Sequence, residues 1–226
     1  MGVTDVKVVG DSVKELLAKG KVHEAIDLLI AQGYGHHVDI GAFSTGITGG
    51  GAGTILDQDQ PEALVSIGAN TAMIPVRVVV QTETPLIAAD ADEIEILLAV
   101  DPAIAAAAMD PSGATRETVY NMRTDLKGST SGAVECWSAI TANITNPTLS
   151  IELAREKKQA DVNGVAANAF FEELKMNYEP KHPPILIGNN NAGLAMYLYF
   201  GGTVAVVGFA QIEVVVFPAD WAKVAA

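Results

Sequence analysis

The chain has 226 residues, 49% of them hydrophobic and 18% charged, with a formal net charge of −13 at pH 7. That length suits one large domain that removes about 70% of the unfolded surface from water, so a full core forms without disulfide or metal staples. The excess of 27 Asp and Glu over 14 Lys and Arg excludes direct nucleic-acid binding and attachment to anionic membranes, both of which need clustered cations.

Residues 11 to 33 are the one clearly helical region. Ser12 followed by Glu15 reads as a capping box, with Val13, Leu16 and Leu17 behind it at helical spacing and Gly20 as the stop. A second helix is predicted from Lys21 to Gln32, with Val22, Ile26, Leu29 and Ile30 on one face and Gly33 closing it. Two helices this short are marginal alone and need a docking partner, either the main domain or a neighbouring subunit. Residues 1–33 are therefore expected to form a helical arm. Residues 34–54, which follow Gly33 and carry Gly35, Gly41, Gly46 and Gly49-Gly-Gly-Ala-Gly53, are expected to be a pliable linker.

From residue 55 to 226 the pattern is β. Ala63, Val65 and Ile67 alternate with Glu62, Leu64 and Ser66, and after the Gly68-Ala-Asn70 turn comes the valine-rich run Ile74 to Gln81. Ile94, Ile96, Leu98 and Val100 share one face, and Asp101-Pro102 predicts a sharp stop. Ala103 to Met109 fits a short helix or a buried strand segment, and Glu117 to Arg123 has no clear phase. Thr130 to Thr141 reads as a strand around Val134, Cys136 and Trp137. Leu149, Ile151 and Leu153 alternate, followed by the charged run Arg155 to Lys158. Phe170 to Tyr178 fits a strand or a helix, and Ile185 to Ile187 opens a final set of strands.

That set ends the chain. Leu194, Met196, Leu198 and Phe200 alternate with Ala195, Tyr197 and Tyr199, and Ile212, Val214 and Val216 alternate with Gln211, Glu213 and Val215. The uncharged stretch from Gly193 to Ala210 has the length of a membrane span. Its alternation and the Gly201-Gly202 break favour a hairpin of two strands instead, so no transmembrane segment is expected. Strands at short spacing, with no long helix between them, predict a mainly β fold. The expected form is an antiparallel, jelly-roll-like β-sandwich preceded by the short helical arm.

Chemical motifs are weak. The glycine run has no lysine where a phosphate loop needs one, and no dinucleotide fingerprint follows it. His36-His37 with Asp39, His23 and His182 do not make a zinc spacing. Asp57-Gln-Asp59 and Asp90-Ala-Asp92 read as polar turns rather than calcium loops. No nucleophile elbow is present. Cys136, the single cysteine, reads as a small buried hydrophobe and rules out an intrachain disulfide. Met1 to Lys7 lacks the regions of a signal peptide. Trp137 and Trp221 lie in different segments and read as packing residues. The expectation is a protein without catalytic residues, cofactor or metal.

Two stretches carry a resemblance. One runs from Gly49-Gly-Gly-Ala-Gly-Thr-Ile-Leu-Asp57 and Gln60-Pro-Glu62 through Ile74-Pro-Val-Arg77 to Asp92-Glu-Ile-Glu-Ile96. The other runs from Pro183-Pro-Ile185 through Gly208-Phe-Ala-Gln-Ile-Glu213. Together they resemble the single jelly-roll β-sandwich virion proteins of bacteriophages, over about a third of the chain. The resemblance implies a capsid or virion-surface subunit that works by assembling, with copies of itself as partners in a trimer or larger shell and other virion proteins alongside. It implies a virion location after assembly in the host cytoplasm. Val13, Leu16, Leu17, Ile26, Leu29, Tyr197 and Tyr199 are the interface residues to expect, because a free sandwich would carry more charge on the outward face of its last strands. The alternative reading is an oligomeric ligand- or glycan-binding β-sandwich, cytoplasmic, which expects an exposed aromatic cluster.

Overall fold

Two helices lead into the strands in the computed structural model, which describes residues 6–41, 46–48, 56–83, 92–104, 111–125, 134–141, 143–144, 148–149, 151–160, 174–188, 193–202 and 205–223. Helix α1 (Val6–Ala18) begins a turn and a half before the expected cap. Its buried residues Val9, Val13 and Leu17 recur every fourth position, so the apolar stripe that docks the helix starts upstream of Ser12. Ser12 lies inside the helix and donates to the Val8 carbonyl (3.0 Å), while Glu15 pairs with Lys19. Helix α2 (Val22–Ala31) follows, and Gly20 and Gly33 take positive φ (70° and 88°) at the two stops, as the sequence predicts.

The strands are β1 (Gly35–Ile40), β2 (Ile47–Thr48), β3 (Ala63–Ile67), β4 (Thr71–Thr82), β5 (Asp92–Ile104), β6 (Thr115–Arg116), β7 (Tyr120–Asn121), β8 (Val134–Ser138), β9 (Ile151–Ala160), β10 (Lys175–Tyr178), β11 (Leu186–Ile187), β12 (Gly193–Gly202) and β13 (Val207–Pro218), with a final turn of helix α3 (Ala219–Ala222). Every described pairing is antiparallel. One sheet has the order β10-β4-β13-β1-β7, with β11 also on β4 and β2 on β13; the other has the order β6-β8-β3-β12-β5-β9. Take β1, β3, β4, β5, β9, β10, β12 and β13 as the first to eighth strands of a set. The first sheet then reads sixth-third-eighth-first and the second reads second-seventh-fourth-fifth. That is the connectivity of a jelly roll, two interlocked Greek keys, with β8 and β6 widening the second sheet and β7 the first.

Three apolar layers hold the sandwich. Val38, Val78, Val80, Ile94, Ile96, Met196, Phe200, Ile212 and Val214 belong to the layer between the sheets. On the outer face of the first sheet, Val9, Val13, Leu17, Ile26 and Leu29 of the helices pack on Ala72, Ile74, Val215 and Phe217, with Trp221 from α3. On the outer face of the second, Tyr197, Tyr199, Leu97 and Leu64 pack with Ile140, Ile144 and partly buried Leu56 and Leu149. The helical arm therefore docks on the sandwich of its own chain.

Four expectations need correction. The stretch expected as a linker contains β1, which lies between β13 and β7, and β2, which pairs with β13. His36, Val38 and Ile40 alternate with His37 and Asp39, a strand pattern that the surrounding glycines obscured. Gly35 is a packing glycine rather than a hinge: a Cβ there would lie 2.9 Å from Ile30 and from Met122. Second, β5 runs past Asp101-Pro102 to Ile104, because β5 itself bulges there: Pro102 and Ala103 together face the single residue Leu194, between the pairs Asp101–Ala195 and Ile104–Gly193. Pro75 uses the same device, lying where the β4–β13 register shifts; proline lacks the ladder donor and is tolerated at bulges. Third, the strand read from the Leu149, Ile151 and Leu153 alternation opens at Ile151, not Leu149, and takes in the charged run Arg155 to Lys158, which an edge strand with solvent on one side tolerates. Fourth, β12 and β13 are not a hairpin: they lie in different sheets, and Gly201 and Gly202 still pair with Glu95 and Ile94. Ala105 to Met109 and Phe170 lie outside the described residues.

Candidate functional site

The outer face of the first sheet is divided. The helices cover the end that carries Ala72, Ile74, Val215 and Phe217. The other end stays open and presents polar side chains in cross-strand rows. β1 places His37 opposite Glu213 of β13, and Glu213 lies opposite Arg77 of β4. The next row sets Asp39 beside Gln211 and Val79, and the row after it sets Phe209 beside Gln81 and Lys175. His37 Nε2 lies 3.0 Å from Asp39, Arg77 lies 3.6 Å from Glu213, and the Gln211 amide donates to Asp39 at 3.2 Å. A groove of about 450 Å3 crosses this face, lined by Arg77, Val79, Gln81, Glu83, Lys175, Phe209, Ala210 and Gln211. Donors and acceptors mix there without a dominant sign of charge.

A second hollow, about 300 Å3, lies on the outer face of the other sheet between Leu56, Gln58, Leu97, Leu149, Tyr199, Glu95 and Arg155. Its floor is apolar and one wall is ionic. Glu95 is buried and pairs with Arg155, which also holds Glu152 at 2.8 Å, while Lys157 holds Glu93 at 2.5 Å. These bonds cross from β5 to the β9 edge. The Tyr199 hydroxyl donates to the Gln58 carbonyl (2.9 Å) and fixes the segment that closes the hollow. Burial pushes the Tyr197 and Tyr199 hydroxyls well above the ordinary tyrosine range, so both stay protonated.

The residues expected at an interface are placed inside one chain. Val13, Leu17, Ile26 and Leu29 are buried, and Leu16 partly so, in the layer between the arm and the first sheet; Tyr197 and Tyr199 are buried in a cluster with the chain's own Leu56, Ile140, Ile144 and Leu149. None offers a free surface, because the apolar outward face of the last strands is covered by other parts of the same chain. His36 and His37 point to opposite faces of β1, and His23 contacts the Lys181 carbonyl (2.9 Å) far from both. Asp57 accepts from the Asp59 amide in a polar turn (3.0 Å), while Asp90 lies outside the described residues. Among the described residues no three His, Cys, Asp or Glu side chains come together as a metal site. Cys136 is fully buried, and burial drives its thiol far above the ordinary range, which leaves it a packing atom. Trp137 lies under the Arg116 guanidinium (5.6 Å), and Trp221 packs edge-on to Tyr34 (5.3 Å).

Sequence reading missed the β5–β9 ionic wall and the cross-strand polar rows. Both depend on register, and only the alternation of Glu93 and Glu95 with apolar residues hinted at the first. Among the described residues, no helix is long and apolar enough to cross a membrane. Neither a protein-family model nor a curated protein matches the chain.

Proposed function

We propose that this chain is a structural assembly protein, a capsid or virion-surface subunit of jelly-roll type that acts by self-association and has no active site. The observation that carries the reading is the connectivity: sheets ordered sixth-third-eighth-first and second-seventh-fourth-fifth. That architecture serves viral capsids as well as ligand-binding domains. The two stretches that resemble bacteriophage virion proteins, Gly49 to Ile96 and Pro183 to Glu213, supply strands of both sheets.

The edges support association through faces or strand-end loops rather than by strand addition. Glu156 and Lys158 pair in register with Ile96 and Ile94, so they project on the core side of the edge strand β9. Inward-pointing charges at an edge block a further strand. The ligand-binding reading expects an exposed aromatic cluster; among the described residues Tyr120 is the one large aromatic that is mostly exposed. Light scattering after size-exclusion chromatography tests the proposal. A mass rising in multiples of the 23.6 kDa chain between low and high micromolar protein is expected. A monodisperse monomer across that range, under the ionic conditions that trigger shell assembly in general, counts against it.

A further inference from the structure

Strand β1 separates two histidines that meet opposite environments. His37 faces outward into the Asp39–Glu213 pair. His36 faces the core, 3% exposed, in line with Val38 and Ile40 and opposite Val214 of β13. On the other side of β1 lies β7, a strand of two residues at the sheet edge, with Asn121 in register with His36. Besides the two-residue β1–β7 ladder, the bonds at that edge among the described residues are Met122 N–H to the Gly35 carbonyl (3.0 Å), the Asn121 amide to the Gly33 carbonyl (2.6 Å), and the Arg123 guanidinium to the Ala31 carbonyl.

We propose that the β7 edge is an acid-released flap: on acidification the segment around Tyr120 and Asn121 leaves β1 while the rest of the sandwich stays closed.

The thermodynamic reason is a difference in proton affinity between the two states. In the closed state burial lowers the His36 pKa to about 4. With β7 detached the ring meets water and regains an ordinary value of about 6.5. The open state therefore binds more protons as pH falls from 6.5 towards 4, and the closed state loses stability over that window. Opening at β7 is the least costly way to hydrate the ring, since β13 lies on the other side of β1 in a ladder that runs the whole length of β1. The charged groups on the packed elements do not substitute for His36. On β1 and β13, His37, Asp39 and Glu213 project to the outer face. Beyond β7, Arg123 pairs with Asp125. On the facing sheet, Cys136 stays a thiol and Ser138 donates to Glu117.

Hydrogen exchange of the full chain at pH 7.5 and pH 5, corrected for the intrinsic rate, tests the flap. Opening measured in peptides spanning 33–37 and 118–123 is expected to rise on the order of 30-fold at pH 5, with little change in β4, β5, β12 and the remainder of β13. His36→Phe removes the titrating group and keeps an aromatic ring; His36→Gln keeps hydrogen-bonding capacity. In either variant that folds, the acid-dependent rise disappears. A rise spread evenly over all strands, no rise at all, or a rise at 118–123 that persists in both variants overturns the proposal.

Discussion

A Cβ placed on Gly10 would lie 2.6 Å from Nε1 of Trp221, so α1 and the final turn α3 meet at a distance that only glycine allows. This contact decides the sign of a substitution. Helix propensity alone makes Gly10→Ala stabilising by about 1 kcal/mol. The arm docked on its own sheet makes it destabilising, by about 1–2 kcal/mol net, since the Trp221 ring must shift out of the layer it shares with Phe217 and Tyr34. Denaturant midpoints of the two proteins read the sign directly; a more stable variant contradicts the docked arm.

The two tyrosines of β12 separate a bonded from an unbonded hydroxyl. Tyr199 donates to Gln58, whereas the buried Tyr197 hydroxyl has no hydrogen-bond partner among the described residues. Tyr199→Phe is expected to cost about 1 kcal/mol, and Tyr197→Phe to be neutral or mildly stabilising. Equal losses in thermal unfolding would show that the pair is not distinguished in this way.

Arg155 joins the β9 edge to Glu95, a buried carboxylate of β5. Arg155→Leu leaves Glu95 with Lys157 at 3.9 Å and is expected to destabilise by about 2 kcal/mol, less than a fully buried pair because the guanidinium is partly exposed. Combining it with Glu95→Leu should recover part of that loss. A double-mutant cycle with a coupling energy near zero contradicts the ionic wall.

The charges on the core side of β9 have a different role. Glu156→Val with Lys158→Ile removes the block on strand addition, so the doubly substituted protein is expected to form irregular, thioflavin-positive aggregates at concentrations where the parent stays ordered. Unchanged behaviour in light scattering would mean that the edge is closed by something else.

Much of the fold was legible in the sequence where period and composition agree. The alternation in β3, β5, β12 and β13 gave the strands and their core faces, and Gly20 and Gly33 gave the helix ends. Legibility failed wherever the deciding factor lay on another strand. His36 to Ile40 sits among glycines, and its partners Ala210 to Val214 are far away in sequence. Pro102 read as a break, because the bulge against β12 is a register event that no local pattern announces. Ser12 read as a cap because capping boxes and interior Ser–x–x–Glu spacings are identical in sequence; the upstream valines decided it. The surplus of apolar residues in the last strands pointed to a covering layer, and the arm covers β13 as the pattern suggested. For β12 the cover is the chain's own loop segments. The open polar face of β1, β13, β4 and β10 could not be read at all before the register was known.

Electron microscopy of the purified protein, taken at the concentration where light scattering shows the largest mass, tests the central claim most directly. The account predicts closed, regular particles, rings or shells built from one repeating sandwich-sized unit. A field of single, unassociated subunits under every assembly condition tried would contradict it.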